Sequence, residues 1–230
     1  MMGEIKAVAR RHLETDGANL SLRAVARDMG MVSSALYRYY PSRDDLLTAL
    51  ILDGYNSVGE AVESADAAVA DRHHVRERWL ASSRAVRLWA LANPAEYALL
   101  YGSPVPGYAA PQDTIAAAAR AYAVLGSILT EAFASGSLAA PRGPAAAGDS
   151  LDKAVRADLA RASAGIAPGV PDSLMLAGIT AWVQLFGAVS FELFGQFNNV
   201  IDARAEFFEQ QMEQMADLIG LPRARDEADA

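Results

Sequence analysis

Apolar residues recur at three- and four-residue spacing along almost the whole chain, while period-two alternation bounded by turn residues is nearly absent. That pattern predicts an all-α protein. The first helix runs from Met2 to about Asp16 and ends at Gly17. Ser21 caps a second that ends at Gly30. A third, capped by Ser33 or Ser34, runs to about Tyr40 and is stopped by Pro41. Ser42-Arg43-Asp44-Asp45 opens a long fourth helix, with Ser42 as cap and Asp45 as its reciprocal acid in a variant capping box. Further helices are expected at about residues 71–92, 94–101, 112–134, 151–162, 171–197 and 202–219. The stretch GSPVPGYAAPQD reads as a loop, residues 135–150 have a linker's composition, and LPRARDEADA after Gly220 is expected to be disordered.

In the first three helices Ile5, Val8, Ala9, Leu13, Leu22, Val25, Ala26, Met29, Met31, Leu36 and Tyr40 form the inward set. With these assigned to a small core, the third helix exposes Ser33, Ser34, Ala35, Tyr37, Arg38 and Tyr39. Short side chains at its start let the backbone approach base edges in a DNA major groove. Serine hydroxyls can bond to several bases, and Ala35 offers a methyl contact to thymine. Tyr37 and Tyr39 place phenol hydroxyls at a reach that suits phosphate oxygens. Arg43 and the amides opening the fourth helix suit a further phosphate, and Arg23 another.

Charge supports that placement. The chain carries −8 in 230 residues, yet residues 1–43 hold seven basic and four acidic side chains, a net of +3 that leaves −11 for the remainder. A basic end on an acidic body turns that end toward a polyanion. The absence of cysteine rules out disulfides and thiolate metal sites and suits a reducing cytoplasm. Ser173 to Phe191 carries no charge and approaches membrane-spanning length. Its small and polar residues and the lack of a flanking basic cluster favour a buried helix over a span.

ALYRYYPSRDDLL, preceded by SLRAVARDMGM, resembles the DNA-binding domain of the tetracycline-repressor (TetR) family of bacterial regulators over about residues 2–50. The resemblance implies that Ser33, Ser34, Ala35, Tyr37, Tyr39 and Arg43 face DNA, with Ser21 and Arg23 at the edge. The segments WALANPAEYALLYGSPVPGYAAPQDT and AWVQLFGAVSFELFGQF resemble a C-terminal domain of a TetR subgroup named for its tryptophan and His-Gly signature (WHG). Trp182 and Gly187 match that signature, whereas Phe186 stands where the histidine is usual.

The expected organisation is therefore a three-helix helix-turn-helix DNA-binding domain at 1–47, a helical ligand-binding and dimerisation domain at 48–220, and a tail at 221–230. A single recognition helix contacts too few bases for genomic specificity, so two readers are expected on one pseudo-palindromic operator in double-stranded DNA. Ala177, Gly178 and Ala181 allow close helix approach, and Phe191, Phe194, Phe207, Phe208, Met212 and Met215 offer packing area for a homodimer interface. The aromatics Trp89, Tyr97, Tyr101 and Tyr108, with Tyr122, Phe133, Trp182 and Phe186, are the candidates to line a pocket for a largely apolar effector. Most of these individually read as ordinary core, and Trp89, Tyr101, Trp182 and Phe186, midway along the helices expected to enclose the pocket, are the preferred four.

No spaced acid–base pair, phosphate loop or nucleophile elbow appears, and His73-His74 are adjacent on a helix, where they point apart. No catalytic residue, metal or cofactor is expected. The rival reading, an all-helical enzyme or small-molecule carrier whose first fifty residues are only structural, lacks a catalytic constellation.

Overall fold

The structure, a computed structural model, describes residues 1–17, 19–138 and 151–223. Among them the helices are α1 (Met2–Asp16), α2 (Leu22–Asp28), α3 (Ser33–Leu36), α4 (Arg43–Ala67) and α5 (Val75–Ala92). They continue with α6 (Pro94–Tyr101), α7 (Thr114–Ala134), α8 (Lys153–Ile166), α9 (Asp172–Leu193) and α10 (Arg204–Ile219). No strand occurs among the described residues, as the apolar spacing predicts. The helices form two compact units, Met1–Glu60 with Trp89–Arg120, and Ala61–Leu88 with the chain from residue 121. Residue 47, where the sequence divides reader from body, falls within α4 and the first unit.

In the first unit nine of the eleven residues expected inward are buried, and Met29 and Met31 pack partly buried against them. Each large aliphatic side chain so buried contributes about 1.5–3 kcal/mol. Leu46, Leu47 and Leu50 bring α4 onto the same core, and Ala95 and Leu99 bring α6. Between α2 and α3 the chain reverses through Gly30 at φ 66°, a left-handed conformation suited to glycine, with the Met31 amide donating to the Ala26 carbonyl.

Several boundaries differ from expectation, for local reasons. Regular α3 is four residues long, and its N-cap is Val32, which offers no side-chain acceptor, rather than a serine. Residues 37–39 form a tightened turn in which the amides of Arg38 and Tyr39 bond three residues back, to Ala35 and Leu36. Pro41 disfavours helical geometry at Tyr40, and Tyr40 is itself drawn into the core. Helix α5 begins at Val75, because the Asp71 carboxylate accepts from the His73 amide and holds a separate turn ahead of it. Asp152 caps α8 by accepting from the Ala154 amide, which sets that helix later than expected.

In the second unit α9 packs on α8 and on α10. The core face of α9 carries Leu174, Met175, Ala177, Ala181, Leu185, Ala188 and Val189, and α10 adds Phe208, Met212, Ala216 and Ile219. Helices α7 and α9 are long and apolar enough to cross a membrane by length and composition alone, yet each commits a face to this core. Buried charges are paired. Arg78, with no exposed surface, donates to Asp66 at the end of α4 and to Glu131 on α7. Arg76 joins α5 to Glu213 and Asp217 of α10 and donates to the Leu221 carbonyl at 3.0 Å. Leu221 is buried, so the first residues of the expected tail are ordered. Residues 139–150 and 224–230 lie outside the described residues.

Candidate DNA interface and ligand cavity

The reader's geometry follows from its caps. Ser21 accepts from the Ala24 amide and starts α2, leaving Arg23 exposed in its first turn. At α4 the capping box closes in both directions. The Asp45 amide donates to Ser42 Oγ at 3.1 Å, and Asp45 Oδ2 accepts from the Ser42 amide and hydroxyl at 2.9 and 2.7 Å. These bonds fix the end of α4 beside the tyrosine turn. Arg43 is half-buried, with its guanidinium 3.6 Å from Asp44.

Leu36 and Tyr40 anchor the α3 segment inward, so Ser34, Tyr37, Arg38 and Tyr39 stand exposed and Ser33 and Ala35 half-exposed. Val32 is 70% exposed directly before them, a large apolar side chain that the sequence reading left unassigned. Its signal was present: it belongs to no inward face and abuts the two serines.

Not all of the basic end faces outward. Lys6 and Arg10 of α1 both donate to Asp53 of α4, at 2.8 and 2.6 Å, and Arg10 also lies 3.4 Å from Glu96 of α6. Of the other basic side chains of this end, Arg11, Arg23, Arg27 and Arg38 are exposed and Arg43 is half-buried.

The eight aromatics expected around a pocket are divided between the units. In the first, Tyr101 packs edge-on to Tyr55 and at a tilt to Tyr97, Tyr108 bonds to Thr48 at 2.9 Å, and the Trp89 indole donates to Ser57. In the second, Tyr122 and Trp182 meet at 4.2 Å between ring centroids, and Phe186 packs edge-on to Trp182 at 5.9 Å. Phe133 is exposed on α7.

The Tyr122–Trp182 pair borders a half-open cavity among α7, α8 and α9, whose free space, counted with the solvent at its mouth, is about 350 Å³. Leu125, Leu129, Ile166, Met175 and Ile179 supply most of the rest of its wall. Among the described residues no ionisable group other than the Tyr122 phenol lines it. Gly126 and Gly178 let the helices close around it. A methyl on Gly126 would sit 2.3 Å from the Ile166 carbonyl oxygen, and one on Gly178 would sit 2.5 Å from Leu129.

The residues expected at a dimer interface also divide. Ala177, Ala181, Phe208 and Met212 are buried within the second unit, and Gly178 faces Leu129, so these five pack inside the chain. Small residues at helical spacing serve intramolecular approach as well as association, and here α7 and α10 take those faces. Phe191 and Phe194 remain exposed, Phe207 and Met215 half-exposed. Val183, 63% exposed, lies on the same face of α9.

A small three-helix unit with a glycine turn and an exposed, hydroxylated third helix, followed in the chain by further helices, defines a helix-turn-helix DNA-binding protein. Known proteins agree. Residues 5–50 match the model for bacterial regulatory proteins of the tetR family, and residues 79–215 match that for the tetracyclin repressor-like C-terminal domain. The HTH-type transcriptional regulators Rv1816 of Mycobacterium tuberculosis and Mb1846 of Mycobacterium bovis are each 42% identical over 197 residues, 84% of this chain and 81% of theirs. The crystal structure of SCO4313, described as a regulatory protein, has a TM-score of 0.73 at 35% identity, covering 93% of this chain and 94% of that one. In fold alone the chain also resembles the TetR family regulator PfmR of Thermus thermophilus, with a TM-score of 0.60 at 18% identity over 95% of this chain and 99% of that one. The chain belongs to the tetR family and is a DNA-binding transcriptional regulator.

Proposed function

We propose that the chain acts in the cytoplasm as a homodimeric repressor that leaves a pseudo-palindromic operator when a largely apolar small molecule enters the second unit. The observation that carries this reading is the α7–α8–α9 cavity, whose wall is apolar and aromatic and offers a ligand no counter-charge. Its α7 wall also has a route to α4. Glu131 of α7 and Asp66 of α4 share the buried guanidinium of Arg78, and α4 carries Leu46 and Leu47 in the reader's core. A ligand shifts such an assembly only through its differential affinity for two geometries.

Base choice in this reading falls to Ser33, Ser34 and Ala35, with Val32 adding an apolar contact at the same edge. Tyr37, Tyr39, Arg43 and Arg23 supply phosphate contacts, and Ser21 lies beside them. The exposed face of α9, with Val183, Phe191 and Phe194, pairs two copies so that the readers sit about 34 Å apart. A dimer over an operator represses most simply by excluding polymerase.

A gel shift with the chain's own upstream region tests the reading. Retardation of one segment, resistant to excess unrelated DNA, supports it. Equal, salt-labile retardation of every segment contradicts it.

A further inference from the structure

The chain has three tryptophans, and two have satisfied indoles. Trp79 Nε1 donates to the Met212 carbonyl at 3.0 Å, and Trp89 Nε1 donates to Ser57 Oγ at 2.9 Å. Trp182 Nε1 is buried and has no hydrogen-bond partner among the described residues. A buried donor left unpaired costs about 1–3 kcal/mol, and tryptophan is ordinarily placed where its N–H reaches an acceptor.

Trp182 is also a wall of the α7–α8–α9 cavity. A site whose apolar wall includes a residue with an unmatched buried donor selects by what it lacks. A carboxylate or phosphate entering there would lose its hydration without gaining a cation, because no lysine, arginine or histidine among the described residues lines the space. A pure hydrocarbon would fit the wall and leave the donor unpaired. A neutral molecule with one acceptor oxygen meets both conditions.

Resting on the proposal that this cavity is the effector site, we infer that the effector is an uncharged, compact, mainly apolar compound whose carbonyl-type oxygen accepts a hydrogen bond from Trp182 Nε1. Tyr122 and Phe186, packed around Trp182, orient the indole so that the donor is held ready. The Trp182 ring then contributes twice, as wall and as donor, and the donor favours those apolar molecules that carry an acceptor.

Calorimetry on the full chain with acetophenone and with ethylbenzene, which share size and ring and differ in the carbonyl, tests this. In wild type both bind. In Trp182→Phe, which keeps an aromatic wall and removes the donor, the ratio of the acetophenone Kd to the ethylbenzene Kd rises about tenfold. An unchanged ratio with both compounds still binding overturns the Trp182 inference and leaves the cavity reading standing. Failure of wild type to bind either compound at millimolar concentration overturns both. A second readout needs no substitution. The indole N–H resonance of Trp182 moves downfield with acetophenone and not with ethylbenzene, while those of Trp79 and Trp89 stay in place. Equal movement with both compounds counts against the hydrogen bond.

Discussion

Arg10 on α1 donates to Asp53 on α4 at 2.6 Å, and Lys6, one turn earlier, donates to the same carboxylate at 2.8 Å. Two cations of the basic end are thus spent on fixing α1 against the helix that carries the reader. Asp53→Ala leaves both without their shared anion in a half-buried position. The expected cost is roughly 1–2 kcal/mol, charge-assisted bonds discounted for partial exposure. Chemical denaturation reads it as a lower midpoint at unchanged slope, and an unaltered midpoint would show the pair to be ornamental.

Arg78 ties Asp66 of α4 to Glu131 of α7 with no exposed surface of its own. Arg78→Met leaves Asp66 with Arg72 as its remaining cation and removes charge-assisted bonds worth about 1.5–3 kcal/mol each. Burial pushes the Asp66 carboxyl up, but hydrogen bonds and charge from Arg78 and Arg72 outweigh that and hold it below its ordinary 3.8. A carboxyl depressed in the folded state stabilises fully above its unfolded pKa and loses that contribution as pH falls through the folded value. Stability therefore declines below about pH 3.8, and Asp66→Asn flattens that limb of the profile. A limb unchanged by the substitution contradicts the assignment.

Gly126→Ala places a methyl 2.3 Å from the Ile166 carbonyl oxygen, a rigid backbone atom. Helix α8 must move away from α7, and overpacking of this kind costs about 1–3 kcal/mol. The melting temperature falls by several degrees and binding of apolar probes changes with it. A variant as stable as wild type would mean that the contact between α7 and the end of α8 is looser than described.

Phosphate contacts and base contacts separate by salt. Arg43→Ala weakens binding to all DNA sequences alike and lowers the slope of log K against log salt by about 1. Ser34→Ala instead leaves the slope and alters preference at one operator position. The two effects appearing in reverse would move Arg43 into the groove.

Much of this was legible in sequence, and the parts that were not share a cause. The inward set of the first three helices follows from spacing alone, because each short helix has one buried face, and Ile5, Val25 and Leu36 are buried as expected. The α4 capping box was equally readable, since Ser42 and Asp45 interact within one turn. Tertiary partners were not. Nothing local reveals that Lys6 and Arg10 meet Asp53 more than forty positions away, or that Ala95 and Leu99 of α6 join the reader's core. For the same reason Ala177, Ala181, Phe208 and Met212 could not be told from surface residues, because small and apolar positions read alike whether a helix of the same chain or of another covers them. The pocket aromatics divide likewise. Tyr122, Trp182 and Phe186 come together, whereas Tyr97 and Tyr101 serve a different cluster.

The most direct test of the account is the stoichiometry of the full chain on its operator, measured by light scattering on the isolated complex with DNA from its own upstream region. The account predicts two chains per inverted repeat, with each half-site spaced one helical turn from the other, and release of that DNA when an uncharged apolar carbonyl compound is added. One chain per site, or a complex indifferent to every such compound, would contradict it.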